Sequence, residues 1–285
     1  MAGVGIGRRG GDYPARRMKK SWRGGIQPEN FMSRYTFNEE PEGLGGARIT
    51  WAVQRLIVAN IVIFALQLAT DPFLLLLGFG PAIPGGALNP WLGFFPADFV
   101  QGCIWMPVSY QFLHGGLMHL FFNMLWLYLF GPDVERVLGT RAFFRFYIIC
   151  GAVAVLATLI PYVLTGKAPI VVGASGAVMA VLVAFAMVEP ERQFFLFPLP
   201  ISVNARALVI IAFVINVIYS LGGTNISVET HLGGMAVGFL YMKALPLVIN
   251  FQRERRRREV SRKKKDDKVG EAVDNIFKFD DRKRR

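Results

Sequence analysis

Charge is scarce in this sequence. Only 18% of its 285 residues are Asp, Glu, Lys or Arg, against about 25% in an ordinary soluble domain. Hydrophobic residues reach 53% and mean hydropathy is +0.39, which argues against a water-soluble globule and for a polytopic membrane protein. Cysteine is scarcer still. Cys103 and Cys150 are the only two, too few for a disulfide framework, and both read as unpaired thiols. The first 50 or so residues lack an apolar core of the secretory type, so no signal peptide is expected there. No internal repeat is found, nor any pairing of broken apolar runs of the kind that marks transporters. No acidic residue falls inside any of the apolar runs described below. Histidine occurs three times.

What charge there is lies at the ends. The formal net charge is +12; residues 1–25 carry seven Lys/Arg and one Asp, and residues 251–285 carry fifteen Lys/Arg and eight Asp/Glu. The tails hold essentially the whole excess. Such a balance in a soluble protein suggests nucleic acid. Beside apolar runs it fits basic tails retained on the cytoplasmic side, where anionic lipid attracts them, so no nucleic-acid partner is expected.

Three segments follow: a basic, Gly-rich tail (1–50), an apolar body (51–250) and a second basic tail (251–285). In the body, apolar runs cover about Ala52–Ala69 (ending at Asp71-Pro72), Leu117–Phe130, Ala142–Leu164, Ile170–Val188, Ala207–Leu221 and His231–Ile249. Residues 73–113 are interrupted by Pro81, Pro84, Pro90 and Pro96 and carry Trp91 and Trp105, which reads as a long loop at a membrane interface. Six spans put both termini on one side. Arg136 and Arg141, then Arg192 and Arg206, fall in loops on that side, and the opposite loops hold only Lys167. That asymmetry makes the tail side cytoplasmic. The expected fold is an all-α membrane protein, a bundle of six transmembrane helices. Within the C-terminal tail, Val269, Ala272, Val273, Ile276 and Phe277 have helical spacing, and either a short surface helix or disorder would suit them.

Three motifs open alternate runs. In HGGLMHLFFN, His119 and Asn123 are four apart and share a helix face. Alone, His114 and His119 also suit a membrane interface, and Asn123 an interhelical hydrogen bond. In GASG, Ser175 stands between Gly173 and Gly176 near a helix start, where unpaired backbone N–H groups can stabilise an oxyanion. The same glycines, with Ala177, Ala180 and Ala184, also suit close helix packing. In THLGGMAVG, His231 precedes Gly234 and Gly238, a face that admits another helix closely; the small stripe of the fourth run is its natural partner. The second, fourth and sixth runs all enter from the outer side. All three histidines, Asn123 and Ser175 therefore share one depth. A serine hydroxyl needs a base within hydrogen-bond reach, and neutral imidazole suits that task. With no carboxylate placed to orient His231, and Glu229 expected to point elsewhere, the arrangement reads as a Ser–His dyad. Asn123, His119 and the Ser175 N–H are the candidate oxyanion donors.

HGGLMHLFFN, GASG and THLGGMAVG, in that order and on those runs, resemble the rhomboid family of intramembrane serine proteases over about residues 50–250. The resemblance implies a six-helix core with a cavity open to the outer side and a serine endopeptidase activity that needs no metal or cofactor. Its substrates would be single-span membrane proteins. Ser175 then matches the nucleophile, His231 its base, and His119 and Asn123 the oxyanion supports. His114 matches a structural histidine beneath the first loop, Glu135 a structural glutamate followed by the basic Arg136, and Gly234 and Gly238 the packing glycines. By analogy the chain belongs in a bacterial plasma membrane. Oligomeric state is not implied. The sequence departs from the family at Trp105-Met106, where Trp-Arg is common. Three rivals differ in class: a metal enzyme or carrier using the three histidines, a fold-retaining protein that binds membrane clients without cleaving them, and a transporter.

Overall fold

The computed structural model describes residues 49–78, 88–166, 170–195, 201–221 and 227–283. The tail expected at 1–50, except its last two residues, lies outside these, as do Pro81, Pro84 and Lys167.

The chain is mostly helical. Helix α1 (Trp51–Leu76) is followed by three short helices, α2 (Asn89–Leu92), α3 (Pro96–Val100) and α4 (Met106–Ser109), and by a 3-10 turn at Tyr110–Phe112. Helix α5 (Leu117–Leu138) leads into α6 (Thr140–Val155), which continues through a 3-10 turn into α7 (Leu159–Thr165). Then come α8 (Ser175–Val188), the antiparallel strands β1 (Gln193–Phe195) and β2 (Ser202–Asn204), α9 (Ala205–Leu221) and α10 (Val228–Lys283).

Three stretches among the described residues are long and apolar enough to cross a membrane: Trp51–Thr70, Thr140–Thr165 and Val228–Phe251. Met106–Phe112 with α5 forms a fourth if the pair, bent by 98°, counts as one span. Helices α8 and α9 are apolar but have only 14 and 17 residues, short of the ~20 that cross a bilayer. The surface is apolar over wide areas. On α1, Val58, Ile61, Val62, Leu66 and Leu68 are exposed, as are Ile210, Phe213, Val214, Ile215 and Ile218 on α9. Faces of that kind need lipid, since in water they would drive association.

The helices are arranged around α8. It packs against α5, α6, α9 and α10, and every residue from Gly176 to Ala186 except Met179 is buried. A helix that is apolar all round belongs at the centre of a bundle, and one lined by protein can be shorter than the membrane is thick. On α1, by contrast, Ala52, Val53, Leu56, Asn60, Phe64 and Gln67 bury a single face, the spacing of a helix packed on one side.

Several features differ from the sequence expectation. The second run continues past Phe130 through Pro132 to Leu138, so Arg136 and Arg141, expected in a loop, lie on α5 and α6, and Arg206 lies in the first turn of α9. Helix α1 runs through Pro72 to Leu76, although an interior proline removes one intrahelical hydrogen bond and its ring crowds the carbonyl four residues earlier. The run from Ile170 is not helical until Ser175; Val171 instead pairs with Phe94 (N···O 2.9 and 3.1 Å). The loop after α8 folds into a hairpin in register Gln193↔Asn204. The C-terminal tail is neither a separate short helix nor irregular. It extends α10 as one helix of 56 residues, so the boundary expected at residue 250 falls inside it. No proline follows Pro246, the tail is rich in helix-forming Lys, Arg and Glu, and Arg255 pairs with Glu259 one turn on.

Glu135 joins three helix ends. Its carboxylate accepts hydrogen bonds from the Ala52 and Val53 N–H groups (both 3.0 Å), at the start of α1, and from Thr50 Oγ1 (2.5 Å) and Thr140 Oγ1 (2.8 Å). Its own carbonyl receives the Gly139 N–H at the end of α5. An anion at a helix N-terminus satisfies orphan donors and the helix dipole together. Glu135→Ala is expected to cost about 2–4 kcal/mol, the worth of a few charge-assisted hydrogen bonds, read as a lower thermal midpoint in detergent. Glu135→Gln, which keeps an acceptor, should lose less.

Candidate active site

Ser175 is the first residue of α8. The backbone before it is set by Gly173, which has φ +120°, a conformation that favours glycine. A Cβ on Gly173 would stand 2.7 Å from His119 Nε2, so the His119 ring lies directly over this turn. Tyr110 O holds the turn by accepting the Gly173 N–H (2.9 Å). The first bond of the helix proper is Val178 N–H to Ala174 O (2.9 Å). The N–H groups of Ser175, Gly176 and Ala177 therefore precede the helix ladder, as first-turn donors do.

His231 lies in the first turn of α10. Its Nε2 is 2.7 Å from Ser175 Oγ, and its Nδ1 is 2.8 Å from Asn216 Oδ1 on α9. Close approach of α8 and α10 makes the first contact. A Cβ on Gly234 would run into the carbonyl of Gly176, and one on Gly238 would stand 2.7 Å from Ala180 Cα. Gly176 is enclosed too, with Thr230 Cγ2 2.9 Å from where its Cβ would lie.

His119 and Asn123 are stacked on α5. Asn123 Nδ2 donates to the His119 carbonyl (2.9 Å), and His119 Nδ1 accepts from the Gly115 N–H (3.4 Å). In a neutral ring that leaves the proton on Nε2, the nitrogen facing Gly173. The His114 ring meets His119 edge to face, 5.2 Å between centroids. His114 is buried and its backbone N–H donates to Gln67 Oε1 (3.0 Å). Ser175, His231, His119, Asn123 and His114 thus gather at the N-terminal ends of α5, α8 and α10, whereas Glu135 lies at the far end of α5.

Asn216 was not among the residues expected here. Its signal was a buried amide within the apolar run Ala207–Leu221, and polar groups in such a run mark sites by default.

The rhomboid domain model matches residues 101–246, just over half of the chain. The chain belongs to the rhomboid family. It is 31% identical over 149 residues to rhomboid protease GluP of Bacillus subtilis, covering 52% of this chain and 27% of that protein. It is 29% identical over 138 residues to rhomboid protease GlpG of Haemophilus influenzae, covering 48% and 68%. Rhomboid protein 1 of Saccharomyces cerevisiae mitochondria is 31% identical over 157 residues, covering 52% and 44%. The match spans well under two thirds of the first and third of these relatives. This rhomboid carries Met106 where the family commonly has arginine. Met106 is buried with Phe94, Tyr110, Val155 and Val171, so a thioether fills an apolar site. Backbone pairing of Phe94 with Val171, Trp105 Nε1 donating to Trp91 O (2.9 Å) and Ser109 Oγ donating to Leu92 O (2.7 Å) tie down the first loop.

Proposed function

We propose that this rhomboid is an intramembrane serine endopeptidase that cleaves single-span membrane proteins with a Ser175–His231 dyad. The observation that carries the reading is the 2.7 Å contact between Ser175 Oγ and His231 Nε2. It lies at a helix start beside a turn of positive φ, among first-turn N–H groups. Relatives named as rhomboid proteases support the activity class.

In the proposed reaction His231 Nε2 takes the Ser175 proton as Oγ attacks a peptide carbonyl. The tetrahedral oxyanion receives hydrogen bonds from the Ser175 N–H, His119 Nε2–H and the second amide hydrogen of Asn123. The imidazolium returns its proton to the leaving amine, and the acyl group remains on Ser175 as an ester. Water, deprotonated by His231, then releases the acid and restores the serine. No metal or cofactor enters. A substrate helix has its carbonyls already paired, so it must unwind locally to present one.

The same reading counts six spans, with α8 and α9 as two of them and a protease domain over 51–250 between basic tails. Both termini are assigned to the cytoplasm and the site to the outer half of a plasma membrane, bacterial by analogy. Charge supports that orientation. Asp133 pairs with Arg136 (2.6 Å) and Arg192 (3.3 Å), and Glu191 with Arg206 (3.1 Å). All these residues are at or beyond the C-terminal ends of α5 and α8, opposite the histidine layer, as retained basic loops should be.

The test is covalent. A fluorophosphonate probe is expected to label the intact protein at Ser175, mapped by peptide sequencing, with the label lost in His231→Ala and unaffected by chelators. Labelling elsewhere, or cleavage of a single-span substrate without any labelling, would sink the dyad. Labelling without cleavage of any membrane substrate would favour a client-binding protein.

A further inference from the structure

We infer that Asn216 is the positioning residue of His231, an uncharged third member that fixes the tautomer of the base; this rests on the dyad reading above. Asn216 is buried in the middle of α9, with 5% of its surface exposed. Its side chain makes two hydrogen bonds of different kinds. Nδ2 donates to the Ala212 carbonyl one turn earlier (2.8 Å), and Oδ1 faces His231 Nδ1 (2.8 Å).

The first bond fixes the sense of the second. Were the amide turned over, Oδ1 would face the Ala212 carbonyl, two acceptors with no proton between them. An amide oxygen can only accept. His231 Nδ1 must then carry the proton, and the Nε2 lone pair is left facing Ser175 Oγ at 2.7 Å. That is the arrangement a general base needs. The opposite tautomer places a proton on Nε2, where it cannot accept one from serine, and leaves two acceptors, Nδ1 and Oδ1, in contact.

The choice of an amide has a physical reason. A carboxylate at this depth would bring a buried charge with a large desolvation cost, whereas a neutral amide that makes both its bonds costs little. The two hydrogen bonds of the Asn216 side chain go to Ala212 and His231, and the serine is bonded to the other nitrogen of the imidazole. The effect of Asn216 passes through His231 alone. It should therefore act on turnover and not on substrate binding.

The experiment reads the tautomer directly. With only three histidines in the chain, 15N-histidine spectra of the full-length protein in detergent are simple, and His231→Ala identifies the signal of interest. The intact protein is expected to show His231 protonated at Nδ1 and bare at Nε2. Asn216→Leu, which branches at the same atom, is somewhat bulkier and lacks the acceptor, should move the population to the Nε2–H form and lower kcat on the order of 10- to 100-fold, the worth of one hydrogen bond to a group that becomes charged. KM should stay within about twofold, since uniform binding is untouched. Asn216→Gln, which keeps a neutral amide with an accepting oxygen and a donating NH2, should restore the Nδ1–H form and part of kcat; a simple packing role would not be rescued in this way. An Nε2–H tautomer in the intact protein overturns the inference with no variant needed. So does an Asn216→Leu protein with unchanged tautomer and kcat. If cleavage survives His231→Ala, the dyad itself has failed. If it is lost there and Asn216→Leu cleaves at the rate of the intact protein, only the positioning role has failed.

Discussion

Ser175→Ala is expected to reduce cleavage of a single-span substrate by about 10,000-fold or more, the scale on which a serine nucleophile is lost elsewhere. His231→Ala should fall nearly as far. The two losses should not add. Once the serine has no base, or the base no serine, the remaining partner does no covalent chemistry, and the double variant should match the worse single one. Additive losses would mean that the two side chains act in separate steps, which their 2.7 Å contact does not suit. The oxyanion donors set a contrast. Asn123→Ala or His119→Ala removes one of several donors, and about 100- to 1000-fold is the usual cost. Single-turnover assays in liposomes, with the thermal midpoint as a folding control, separate the two classes. Wild-type cleavage by Ser175→Ala would end the proposal.

Much of this site could be read from local pattern, because its parts are local: a helix start at GASG, a histidine at the head of an apolar run, two residues four apart on α5. Helix packing was legible for the same reason, since glycines and alanines at three- and four-residue spacing make a groove whatever surrounds it. The features that escaped depend on distant partners. Ile170 to Gly173 is as apolar as the helix it precedes, and only Phe94, some 80 residues earlier, draws Val171 into a pair. The hairpin at Gln193–Asn204 likewise has no alternating pattern long enough to signal strands. Asn216 escaped through the chemistry sought. The third position of a serine–histidine site suggests a carboxylate, and an amide on another helix becomes visible only when α9 lies beside α10. The C-terminal helix escaped because charge was taken to end the structured body, although residues 251–283 contain no proline and α10 continues through Gly270 and the basic runs.

Gly234→Ala should be the most damaging change outside the reacting groups. The added methyl would run into the Gly176 carbonyl and also stand 3.2 Å from Gly176 Cα. Both are backbone atoms, so no rotamer change can make room. The helices must part or slide. Gly234 is one turn below His231, and Gly176 directly follows Ser175, so displacement is transmitted straight to the dyad. A shift on the order of 1 Å at a reacting pair can cost about 100-fold in rate, and overpacking itself costs about 1–3 kcal/mol. Gly234→Ala is therefore expected to lose at least about 100-fold in cleavage and to melt earlier, with fluorophosphonate labelling falling in parallel. Gly234→Val should be worse on all three measures. Ala236→Leu, on an exposed face of the same helix, should change none of them. Because the obstruction is backbone, shrinking a side chain on α8 cannot rescue Gly234→Ala. Full activity in that variant would show that α8 and α10 do not meet at this point, and the Ser175–His231 contact would then need another explanation.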